Sequence, residues 1–163
     1  MKHLTYVFAI AFLITAIGCK NTATTEETTS ENSTATERQV AQLLDDPILS
    51  NDWENEIQLN GTDKWAANEE TTQGVRKMRY ILEHTEIGPE MNFNGLGTQL
   101  KSEINVVIKE CSMKGASHDN LHVFLMPLIE KVDALREETD MEKNKALFAS
   151  IFYNLEAYDT YFK

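Results

Sequence analysis

From Asn68 to Phe162, apolar residues recur at three- and four-residue spacing in four separate runs, and this pattern more than any other limits what the chain can fold into. Such spacing draws one apolar stripe along each helix, and a stripe is stable only when another stripe covers it. The first run is Val75, Met78, Ile81 and Leu82, capped by Asn68, with the acids Glu69 and Glu70 in its first turn and a fading end between His84 and Gly88, before Pro89. Leu100, Ile104, Val107, Ile108 and Cys111 form the second. It is expected to start after Gly97 and to end at Lys114-Gly115, where a basic last turn meets a residue free to take positive φ. The third, with Ser117 as its expected cap, is Leu121, Leu125, Leu128, Val132 and Leu135, and Pro127 should bend it. Thr139-Asp-Met-Glu142 reads as a capping box ahead of Leu147, Ile151, Leu155, Tyr158 and Phe162. Four such helices with short connections predict an all-α fold, an antiparallel up-down four-helix bundle. Gly74 costs its helix about 1 kcal/mol relative to Ala and is expected to mark a tight helix-helix contact.

Ahead of the helices the chain changes character. Residues 56–67 place Asn60-Gly61 between short alternating segments, which predicts a short β-hairpin held to the core by Ile57, Leu59 and Trp65. Residues 38–46 are weakly amphipathic through Val40, Leu43 and Leu44 and stop at Pro47, as a short helix or turn would. Residues 20–37 contain no aromatic and no large aliphatic side chain, so they cannot offset the entropy of ordering and are expected to be a disordered tether. As a random chain its reach is about 20–25 Å.

The N-terminus carries a processing signal. Met1-Lys2-His3 precedes an apolar run from Leu4 to Ile17, too short for a comfortable membrane span, and Gly18-Cys19 follows. Ala16-Ile17-Gly18-Cys19 resembles a bacterial lipobox, which implies cleavage after residue 18 and lipidation of Cys19. Three units follow: a signal peptide over 1–18, a lipidated Cys and tether over 19–37, and a helical-bundle domain over 38–163. The expected location is the bacterial cell envelope, periplasmic or surface-facing, with the membrane engaged through the N-terminal lipid. The formal net charge of −11 argues against nucleic-acid binding and against adhesion to anionic lipid by charge.

Within the domain, ligand-type side chains concentrate in one stretch, Cys111 to His122. With Cys19 lipidated, Cys111 is the remaining thiol. His118 and His122 are four residues apart and share a helix face, Cys111 and Met113 are expected at the end of the preceding helix, and Met78 is a further candidate at the same level. Thiolate, thioether and imidazole together favour copper as Cu(I), with zinc as an alternative. Haem is a third option, because Met and His serve as axial ligands, although covalent attachment through a Cys-x-x-Cys-His motif is excluded. The competing reading is a packed turn with no metal at all. No His-Glu-x-x-His motif and no Gly-rich phosphate loop is present, and the chain is expected not to be an enzyme.

The pattern Cys111-x-Met113-x-Gly115-x-x-His118-x-x-x-His122 resembles one found in small, mostly uncharacterised lipoproteins of Bacteroidetes-type bacteria. The likeness extends over roughly residues 55 to 130 and includes Gly61-Thr-Asp-Lys-Trp-Ala-Ala-Asn68. It implies an envelope helical domain and carries no settled activity with it. The expectation is thus an envelope lipoprotein that binds a transition metal for buffering or delivery. A non-catalytic interaction or structural lipoprotein is the alternative.

Overall fold

The computed structural model describes Leu43 and residues 45–163. The expected signal peptide, Cys19 and the expected tether lie outside the described residues, as does most of the 38–46 segment. Two 3-10 turns, Pro47–Leu49 and Asp52–Asn55, are followed by α1 (Glu69–Glu83), α2 (Phe93–Glu110), α3 (Ala116–Glu137) and α4 (Met141–Tyr161). The four helices pack in sequence, α1 on α2, α2 on α3 and α3 on α4, and α4 returns to α1. Ion pairs join neighbouring helices: Lys77 pairs with Glu103 at 2.7 Å across α1 and α2, and Lys101 with Asp133 at 2.6 Å across α2 and α3.

The apolar stripes meet along the bundle axis. Met78, Leu100, Ile104, Leu128, Leu147 and Ile151 have no exposed surface. All five residues of the third stripe and all five of the fourth are buried. Ile108 departs from expectation and is exposed, because the periodicity of α2 carries it past the seam that Ile104 and Val107 occupy. Gly74 lies against Val107, whose Cγ2 would collide with any added Cβ, so the tight contact predicted there is present.

Helix ends differ more than helix faces. α2 begins at Phe93, earlier than Gly97, because Asn92 caps it by accepting from the Gly95 N–H at 2.8 Å. Gly97 is therefore interior to the helix, and a Cβ there would sit 2.6 Å from Arg136 Cγ and 3.2 Å from the Arg136 nitrogen. At α4 the capping residue is Asp140 rather than Thr139, its side chain accepting from the Lys143 N–H at 2.8 Å. Pro127 lies inside α3 without ending it.

The expected β-hairpin does not form: no strand occurs among the described residues, and Asn60 and Asp63 make only an isolated bridge around Gly61, at φ 67°. The turn forms as the Asn-Gly signal implies, but the chain beyond it pairs elsewhere. Trp65 donates to the Tyr161 carbonyl at 2.7 Å and accepts from Lys163 at 2.9 Å, so the end of α4 takes the partner groups a second strand would need. Leu59, expected to help pin the hairpin, is exposed, while Ile57 is buried.

Residues 45–58 form a strap across α3 and α4. Trp53 is buried against Phe124 and Tyr161, with ring centroids 5.8 and 6.1 Å away. Ser150 donates to the Leu49 carbonyl at 3.2 Å, and Lys143 pairs with Asp46 at 2.9 Å.

Candidate metal-binding corner

The connection between α2 and α3 is fixed by backbone conformation and by neighbours on both sides. Cys111 caps α2 in extended conformation, φ −64° and ψ 116°, one turn before the predicted stop at Lys114-Gly115. Gly115 has φ 62° and ψ −147°, a combination that side-chain-bearing residues avoid, and α3 starts at the next residue. Ser117 thus falls within the first turn of α3 instead of capping it, and its hydroxyl donates back to the Lys114 carbonyl at 3.2 Å. Asn68, at the start of α1, donates to the Glu110 carbonyl at 3.2 Å, and the Gln58 N–H donates to Asn120 Oδ1 at 2.7 Å. Both imidazoles therefore stand on a helix whose first turn is anchored.

His118 and His122 converge. Their Nε2 atoms are 3.2 Å apart, and the ring centroids are 4.4 Å apart at 56°. Without a cation, this contact requires one ring to donate its Nε2–H to the lone pair of the other. The other nitrogen of His118, Nδ1, lies 3.9 Å from Asp119 Oδ1. Two nitrogens bound at 2.0–2.1 Å to one tetrahedral ion lie about 3.3 Å apart. The observed spacing therefore already matches two ligands of one metal. His122 is exposed and the His118 side chain is 38% exposed, so an ion from solvent can reach the pair.

The sulfur candidates are placed differently. Cys111, a free thiol, and Met113 are partly buried and pack against the hydrophobic core. Met78 is wholly buried within that core. Among the described residues, no three His, Cys, Asp or Glu side chains form a group suited to a metal ion. Of the residues singled out in the sequence, only the two imidazoles are brought into mutual contact by a hydrogen bond or ring contact.

Two further features were not anticipated. Met126 is 48% exposed on α3, one turn beyond His122. Its four-residue spacing from His122 is legible in the sequence, but its exposure is not. Lys131 is 1% exposed, inside the bundle, with Nζ donating to Asn51 Oδ1 and Asn154 Oδ1 at 2.8 Å each. Burial draws its pKa down to about 8, against the opposing attraction of Glu54. Asn154 also donates to the Phe124 carbonyl at 3.3 Å, so its amide is oriented by the bundle. Its spacing, three after Leu128 and four before Leu135, places it on the buried face, where a lysine can still snorkel to solvent; the strap residue Asn51 holds its ammonium inside. A groove of about 890 Å³ between the strap and α3/α4, lined by Trp53, Pro127 and Tyr153 among others, includes none of the ligand-type residues.

Compared with protein-family models, curated proteins and solved structures, the chain finds no match, so no relationship adds to the reading of this corner.

Proposed function

We propose that this protein is a lipid-anchored helical-bundle protein of the bacterial envelope whose His118–His122 pair binds a transition metal, copper first, for buffering or delivery. The observation that carries the metal reading is the 3.2 Å separation of the two Nε2 atoms on one anchored helix turn. Supporting the envelope reading are the lipobox-like Ala16-Ile17-Gly18-Cys19 and the resemblance of the 111–122 pattern to envelope lipoproteins. No described helix is long and apolar enough to cross a membrane, and in this reading the lipid on Cys19 supplies attachment. Cys111 and Met113 pack against the core, so the proposal rests on the two imidazoles. Copper is favoured over zinc because imidazole with thioether or thiolate suits Cu(I).

Titrating the purified protein separately with Cu(I) and Zn(II), then repeating with His118→Ala plus His122→Ala, tests this. Loss of uptake in the double variant is expected. Equal uptake by both forms would refute the site.

One observation favours a second reading, an interaction or structural lipoprotein without metal: Cys111 and Met113 pack against the core as ordinary apolar side chains do. That reading expects no metal in protein isolated from its own host and a Cys111 thiol slow to react in the native state.

A further inference from the structure

The exposed face of α3 carries three consecutive side chains with soft or borderline donor atoms, one per turn: His118, His122 and Met126. Successive members are four residues apart, so their Cβ atoms are about 5–6 Å apart and all three fall within about 80° of the helix surface. Met126 is 48% exposed, although the residues beside it at Leu125 and Leu128 are buried. Helical side chains lean toward the N-terminus, which directs the thioether of Met126 over the turn that bears His122. The unbranched methionine chain has three rotatable bonds, enough to bring its sulfur to an ion held between the two Nε2 atoms without moving the backbone. By contrast, Met113 and Cys111 are engaged with the core.

Resting on the reading of His118 and His122 as a metal pair, we propose that Met126 is the third ligand and that the site is a two-imidazole, one-thioether centre on a single helix, selective for Cu(I) over Zn(II). Thioether is a soft, neutral donor that favours Cu(I) and contributes little to zinc. All three ligands come from α3, so the centre needs neither the thiol of Cys111 nor any change at the α2–α3 corner. A face that is open to solvent and ends in a labile thioether suits transfer of the ion to another carrier.

The test is an anaerobic competition titration of the full chain with Cu(I), and a separate one with Zn(II), for wild type, Met126→Leu, Met113→Leu and the double histidine variant. Leu conserves the volume of Met at an exposed position, and a ¹³C-methyl methionine spectrum of the wild type reads the same contact without substitution. Expected are a loss of Cu(I) affinity of about tenfold or more in Met126→Leu, unchanged Zn(II) binding, a wild-type response from Met113→Leu, and a shift of the Met126 methyl signal on Cu(I) loading. Wild-type Cu(I) affinity in Met126→Leu together with an unmoved methyl signal overturns Met126 as a ligand, while loss of binding in the double histidine variant would leave the pair standing. Absence of Cu(I) and Zn(II) binding by the wild type overturns both.

Discussion

The two halves of α3 carry opposite kinds of polar chemistry. Near its start, His122 and Met126 are exposed and His118 is partly so, and the two imidazoles meet through their Nε2 atoms. About two and a half turns beyond His122, Lys131 is sealed under the strap, its ammonium shared between two asparagine oxygens. Exposure decides what each can do. A donor pair in water is available to an ion and adds little to the fold, whereas a cation out of water binds nothing further and makes its partners structurally indispensable.

That contrast is most sharply tested by pH. Burial pulls the Lys131 pKa down to about 8, against 10.5 for a lysine in water. Below pH 8 both folded and unfolded chains hold the proton; between about pH 8 and 10 the folded lysine is neutral while the unfolded one is still charged. Unfolding then takes up a proton, so stability rises with pH, by about 3 kcal/mol across the window. Burial raises the Tyr158 pKa, which reverses the slope above about pH 10, since the folded phenol keeps its proton when the unfolded one loses it. Urea midpoints from pH 7 to 10 should show the rise in wild type and its absence in Lys131→Met. A flat wild-type profile would mean the lysine is solvated and the contrast is false.

Removing a partner comes next in size. Asn154→Ala should destabilise by about 2 kcal/mol, because a charged donor keeps its burial and loses an acceptor. Denaturant unfolding at pH 7 measures it, and Lys131→Met on the same background should recover much of the loss. Gly97→Ala should cost about 1–3 kcal/mol by driving α2 away from the Arg136 backbone. This is a purely steric control, expected to be the same at pH 7 and pH 10. The smallest effect belongs to the exposed half: His118→Ala with His122→Ala should leave metal-free stability within about 0.5 kcal/mol while abolishing metal uptake. A large loss of metal-free stability would make the imidazoles packing residues like the rest of α3.

Much of the bundle was legible because periodicity records which side of a helix is dry. Leu121 to Leu135 and Leu147 to Phe162 were read correctly for that reason. Ile108 was misread since one apolar residue beside a stripe looks like part of it until the neighbouring helix is in place. Caps moved by a residue or more, from Thr139 to Asp140 and from Ser117 to Gly115, because several polar residues near a helix start can cap it and backbone geometry selects among them. The hairpin failed for a tertiary reason, since the partner of Trp65 lies about a hundred residues away at the end of α4.

For the site, the sequence by itself determined the spacing of His118 and His122, their common helix face, and the glycine at the corner, since these follow from the 3.6-residue repeat and from a backbone conformation open to glycine. Tertiary structure decided everything that depends on what lies alongside. It turned Cys111 and Met113 toward the core, left Met126 in solvent, and folded the strap over Lys131, because burial is a property of neighbouring surfaces and not of the residue that is buried.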